Sequence, residues 1–305
     1  MTSIDRALLP DLRLLTVHAH PDDESSKGAG TVAKYHDAGV RCVLVCCTGG
    51  EAGSILNPAM DRPEVVADIA AVRRRELDRA VAIIGYDELV WLGYRDSGMP
   101  DSEENADPRS FAQAELSEAV GRLVAIIRRE RPQVIVTYPD EQSRYPHPDH
   151  LRVHEISDIA FDAAADPDQY PELGEPWQAL KLYYTTWSMQ RIIALHEKML
   201  ELGLESPYAR WFERSPDDPP PPPPVVPTTQ IEVTAYYANR KNALLAHATQ
   251  IDPQSPFWFS LPDDVAATVY PFEDYVLARS LVDSDPPEDD LFAGVRELVY
   301  DPGAR

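Results

Sequence analysis

The stretch LRLLTVHAHPDDE, residues 12–24, carries the outline of the fold. Its first half is a short apolar run. Its second half crowds together groups that carry protons or bind cations: His18, His20, Asp22, Asp23 and Glu24. An apolar run of this length ending in a polar cluster reads as a buried strand. Working outward, residues 27–38 have helical character and stop at Gly39, and VRCVLVCC at 40–47 reads as a second strand closed by Thr48-Gly49-Gly50. A long amphipathic helix is expected over 65–84, a strand over 88–92, and a helix over 111–130 that stops before Pro132. QVIVTY at 133–138 is a fourth strand, followed by a helix over 150–164 and a fifth strand over 180–187. This alternation predicts an α/β fold: a mostly parallel, Rossmann-like sheet with helices on both faces, plus a smaller C-terminal portion. In such sheets ligands bind at the carboxyl ends of the strands, where the polar clusters fall.

Residues 217–227 include six consecutive prolines, Pro219 to Pro224. They predict an extended, solvated surface loop rather than a helix, a central strand or a docking peptide for SH3-type partners. The expected organisation is a metal-binding α/β domain over 1–215, a Pro-rich loop over 216–229, and a C-terminal portion over 230–305 packing on the same domain. Within that portion a strand over 230–234 and a helix over 235–250 precede an acidic tail.

The formal net charge of −23, from 51 acidic and 28 basic residues, disfavours nucleic acid and anionic lipid as partners. No apolar run approaches the roughly 20 residues that a membrane span needs, and residues 1–9 do not resemble a secretory signal. Cys42, Cys46 and Cys47 fall in one apolar run without metal or redox spacing and read as buried, reduced thiols. A cytoplasmic protein is expected, and the oligomeric state is left open.

The chemistry concentrates in two motifs. His20-Pro21-Asp22-Asp23-Glu24 follows the first strand, and His147-Pro148-Asp149-His150 follows the fourth. A solvated turn explains Pro and Asp, but not a histidine with three acids at the end of a buried strand. Two clusters at the carboxyl ends of one sheet converge on one crevice. They supply two histidines and a carboxylate with a position left for water, the pattern of a catalytic zinc site with one Zn²⁺ per chain. Asp149 can accept from an imidazole N–H and fix its tautomer.

The HPDDE and HPDH pair resembles the LmbE/PIG-L superfamily of zinc-dependent N-deacetylases and amidases. HAHPDDESSKGA, TGGE, ILNPAMD, RDSGMP, AHATQIDP and PEDDLFAG extend that resemblance over nearly the full length, toward the branch that acts on mycothiol S-conjugates. The resemblance implies His20, Asp23 and His150 as zinc ligands and Asp22 as general base. It implies a protonated His147, held by Asp149, as the group that stabilises the oxyanion, with Tyr145 adding a hydroxyl donor. It further implies hydrolysis of the amide joining glucosaminyl-inositol to an acyl-cysteine, releasing an N-acetylcysteine S-conjugate. Deacetylation of an N-acetylglucosaminyl substrate, such as the mycothiol precursor, is the alternative. Arg73 and Asp96 match the residues that hold sugar hydroxyls, against a solvated helix face as the plainer reading of Arg73. Lys27 matches an amidase-type position and Glu51 an ordering role in the pocket. His247 is expected on a helix, packing or supporting the site, and His18 in the core.

One departure stands out. The family's Tyr-Asp-x-x-Gly-Gly-Tyr before the second motif is replaced by Tyr138 to Tyr145, with Ser143-Arg144 where the glycines belong. Serine and arginine resist backbone angles that glycine allows, so this wall of the crevice takes another shape and brings Arg144 toward the substrate. A narrowed choice of S-linked group follows, suited to a dedicated step of secondary-metabolite (thiol-containing antibiotic) biosynthesis rather than to detoxification. A non-haem iron oxygenase also uses two histidines and a carboxylate, but on an all-β scaffold at odds with this alternation. Gly28-Ala29-Gly30 lies too far behind the first strand, with Ala33 in place of a third glycine, to be a dinucleotide loop.

Overall fold

A computed structural model describes residues 11–140, 146–213 and 224–300. Seven strands form one sheet: β1 (Arg13–His18), β2 (Arg41–Thr48), β3 (Glu88–Tyr94), β4 (Val134–Thr137), β5 (Lys181–Thr186), β6 (Thr229–Glu232) and β7 (Phe272–Ser280). Their order is β3-β2-β1-β4-β5-β7-β6. β1 to β5 pair in parallel, whereas β7 runs antiparallel to both β5 and β6. The expected α/β class with a largely parallel sheet is therefore observed.

The central strands are apolar on both faces because both are covered. Leu14, Cys42, Leu44 and Val134 pack into one core, and Leu15, Val17, Val43, Val45 and Ile135 into the other. Each fully buried valine, leucine or isoleucine among them contributes about 1.5–3 kcal/mol. All three cysteines are free and buried, and burial pushes their thiol pKa values up.

The principal helices are α1 (Asp23–Ser26), α2 (Ala29–Asp37), α3 (Ile69–Ile84), α4 (Leu116–Glu130), α5 (Pro148–Ala163), α6 (Met189–Glu201) and α7 (Tyr237–Ala246). The expected helix over 65–84 is broken, because Asp68 caps α3 by accepting from the Ala71 amide. The expected helix over 235–250 ends early, so His247 is its C-cap rather than a helical residue. α6 and β7 were not foreseen. No helix among the described residues is long and apolar enough to cross a membrane.

Candidate metal centre and active site

The loop after β1 is turned by Asp22, whose φ of 113° is a left-handed conformation rare outside glycine. Strain of this kind costs about 1–3 kcal/mol and gathers at functional sites. Here it lets the Asp22 carbonyl accept from Ser25 and Ser26, each at 3.1 Å, and folds α1 back over the strand end. The Asp23 carboxylate then reaches the His20 backbone amide at 3.0 Å. From the fourth strand, α5 begins at Pro148 and points His150 into the same space.

His20, Asp23 and His150 each offer a ligand atom, all within 4.8 Å of one another and all buried. Asp23 Oδ2 lies 3.3 Å from His20 Nδ1 and 3.4 Å from His150 Nε2. A second group, His20 with Asp96, His147 and Asp149, meets the same criterion. Hydrogen placement separates the two. The Asp149 carboxylate accepts from Ser97 N at 3.0 Å and from the Ser97 hydroxyl, and its Oδ2 is 3.1 Å from His20 Nε2. A carboxylate only accepts, so Nε2 carries a hydrogen. Asp149 and Asp23 together raise the His20 pKa against burial, and Nδ1, facing Asp23 and His150, is the nitrogen that would serve a cation once its own hydrogen is displaced. The carboxylate–histidine pairing that orients a metal ligand is thus built in on the side away from the first group. Two imidazoles and one carboxylate suit a borderline cation such as zinc. Asp149 therefore orients His20, not His147 as expected from their adjacency. Asp149→Asn should lower metal affinity about 10- to 100-fold in competition with a chelator, and an unchanged affinity would remove Asp149 from that role.

His147 instead accepts the Asp149 backbone amide at Nδ1, 3.2 Å away. A neutral His147 accordingly holds its hydrogen on Nε2. Burial, with His20 nearby, lowers its pKa to about 4, so the ring donates as the neutral form rather than as the protonated one expected.

Asp22 sits beside this cluster with its side chain 27% exposed. Its desolvating surroundings raise its pKa against the pull of Arg73, which is the direction a proton acceptor needs. Arg73, expected at sugar hydroxyls, is buried instead. It donates to Pro21 O and Gly50 O, each at 2.5 Å, and to Asp22 Oδ2 at 3.2 Å. Gly50 is required there, because a Cβ would lie 2.5 Å from the Arg73 guanidinium carbon. Glu24 accepts from Asp22 N at 2.9 Å and pairs with His247 Nε2 at 2.7 Å. Burial disfavours charge on both partners, yet their attraction raises the pKa of His247 and lowers that of Glu24.

Lys27 forms an ion pair with Asp23 Oδ1 and lies over the Tyr138 ring. Asp96 accepts from Ala52 N and Gly98 N at 3.1 and 2.8 Å, and Glu51 accepts from Asp96 N at 3.3 Å. Glu51 also lines an open cleft of about 400 Å³ with Gly53, Ile55, Asp61, Val66 and Ile69. Arg144 and Tyr145 lie outside the described residues, as does most of the proline run. His18 is in the core, its Nδ1 3.1 Å from the Tyr138 hydroxyl. Two contributors escaped the sequence reading. Ser97 holds Asp149, and Tyr138 stacks on His150 with ring centroids 4.6 Å apart. The RDSG motif singled out Asp96 but gave no sign that its neighbour serves the second motif.

Residues 15–161 match the family PIG-L, GlcNAc-PI de-N-acetylase. A mycothiol S-conjugate amidase from Streptomyces coelicolor is 47% identical over 292 residues, 94% of this chain and 98% of that protein. The chain belongs to the PIG-L (LmbE) family. Within the family, a 1D-myo-inositol 2-acetamido-2-deoxy-alpha-D-glucopyranoside deacetylase from Streptomyces avermitilis is 40% identical, over 94% of this chain and 98% of that one. The fold is shared with N,N'-diacetylchitobiose deacetylase from Pyrococcus horikoshii, at a TM-score of 0.59 and 18% identity over 87% and 83% of the two chains. Membership of a family of hydrolytic amidases and deacetylases makes this chain an amide hydrolase.

Proposed function

We propose that the chain hydrolyses the amide between a glucosaminyl-inositol head and the acyl-cysteine of mycothiol S-conjugates. The observation that carries this reading is the 47% identity to an amidase of that name along nearly the whole of both chains. His20, Asp23 and His150 would hold the metal. When bound, zinc supplies Lewis acidity to the amide carbonyl and to the attacking water. Asp22, steadied by Arg73, takes the proton of that water and returns it to the leaving amine nitrogen. The His147 Nε2–H donates to the oxygen on which negative charge develops. Glu51, in the wall of the 400 Å³ cleft, and Asp96, whose amide donates to Glu51, bind the sugar head. The sequence pair Ser143-Arg144, in place of two glycines shortly before His147, supports a narrowed choice of S-linked group and a dedicated biosynthetic step.

A second reading, deacetylation of N-acetylglucosaminyl-inositol, is favoured by the 40% identical relative. Release of primary amine from an S-benzyl conjugate and from the acetylated sugar distinguishes the two. The conjugate should give the higher kcat/KM, and a preference for the acetylated sugar would replace the first reading with the second.

A further inference from the structure

A second cavity opens where β5 ends. It holds about 70 Å³, and its walls include Trp187, Arg191, Tyr208, Arg240, Phe257 and Trp258. That is room for roughly five water molecules, enough for an acid group and the edge of a ring. Aromatic surface is plentiful: Trp187 and Phe257 stack with planes 4° apart, and Tyr208 is buried beside them. Arg191 lies 4.6 Å from the Trp187 ring centre and Arg240 5.9 Å from that of Trp258.

What this cavity lacks is a carboxylate bound to either guanidinium, although Glu273 in its wall acts on Arg240 at longer range. Among the described residues no carboxylate pairs with either guanidinium, and Arg240 Nε is buried without a hydrogen-bond partner. Glu273, also in the wall, is committed elsewhere, because its two oxygens accept from Gly30 N and Thr31 N at 3.2 and 2.8 Å. Burial and the neighbouring Arg191 push Arg240 down to about 10, so it remains a cation at neutral pH. Two cations in an aromatic pocket are costly unless an incoming negative charge offsets them.

The sheet order relates this cavity to the metal centre. The metal centre lies at the ends of β1 and β4. The Glu51 cleft follows β2 on one side, and the aromatic cavity follows β5 on the other. A hollow of about 10 Å³, with Lys27, Thr186, Trp187, Arg191, Glu273 and Asp274 in its wall, shares Trp187, Arg191 and Glu273 with the cavity and Lys27 with the Asp23 ion pair. A substrate with its sugar in the Glu51 cleft and its amide at the metal would extend its acyl arm past Lys27. We propose that the aromatic cavity receives the group borne on the sulfur of that arm, and that it selects a flat ring carrying an acid. This rests on the amidase reading above.

Two glucosaminyl-inositol amides test it, one of N-acetyl-S-benzylcysteine and one of N-acetyl-S-(4-carboxybenzyl)cysteine. The acid should be preferred about 10- to 100-fold in kcat/KM, the range of a charge-assisted contact. Arg191→Gln or Arg240→Gln should bring that ratio toward one, and Arg240→Lys should restore part of it. Equal kcat/KM values in the wild type, or a ratio untouched in both variants, overturns the proposal. Titration of N-acetyl-S-(4-carboxybenzyl)cysteine against tryptophan emission, with Trp187 and Trp258 in the wall, reads binding without turnover. If neither amide is cleaved but quenching saturates and is lost in Arg240→Gln, the amidase reading fails and the cavity assignment stands. Quenching that Arg240→Gln leaves unchanged overturns the assignment.

Discussion

His150→Ala should release the metal and reduce hydrolysis to background, with little loss of fold. Among the described residues three protein groups converge on the proposed site, and removal of one leaves two ligands, too few to hold a catalytic zinc ion against solvent. His150 sits in the first turn of α5, where alanine is a good helix former, and the Tyr138 ring that stacks on it remains anchored by Ala19 N at 3.1 Å. Metal content after dialysis, read beside the far-ultraviolet dichroism, checks both halves. Full metal occupancy in His150→Ala would shift the site to His20 with Asp96, His147 and Asp149, the other cluster of ligating atoms.

Asp22→Asn should behave differently, retaining metal while losing about 10²-fold or more in kcat, the usual effect of removing a general base. The amide keeps the shape of the side chain and can still accept from Arg73, so the strained turn at φ 113° has the same support. It cannot take a proton from water. Single-turnover rates at equal metal content isolate this loss. A near wild-type rate would move the base to another carboxylate, with Glu24 the nearest alternative although His247 already engages it.

The parallel half of the sheet was legible because its strands are apolar on both faces and each ends in a turn or a polar cluster, a local signal. β7 was not. Phe272–Ser280 carries Glu273 and Asp274 in its interior, and both acids are buried only because distant groups receive them. Glu273 meets the first turn of α2, and Asp274 meets Ser188, Gln230 and Tyr270. No pattern within nine residues announces such partners. The candidate site divides in the same way. HPDDE and HPDH point to the metal because their residues are adjacent in sequence. Which carboxylate orients which ring depended on Ser97 and on the hydrogen at His20 Nε2, facts of three-dimensional packing. The Glu24–His247 pair spans 223 positions and could be suspected from neither end.

That last pair bears on the order in which the chain is made. His20, Asp23 and His150 have all been synthesised by the time α5 is complete, yet Glu24 beside them is buried and lacks its cation until His247 follows. Glu273, which caps α2 at the foot of the same loop, emerges later still. A nascent chain halted after β5 would carry every proposed metal ligand on a loop whose neighbouring carboxylate faces no counter-charge. The loop that carries the proposed ligands thus gains the counter-charge for Glu24 and the cap of α2 only from residues 247 and 273, and its finished form is a property of the longer chain rather than of its amino-terminal half.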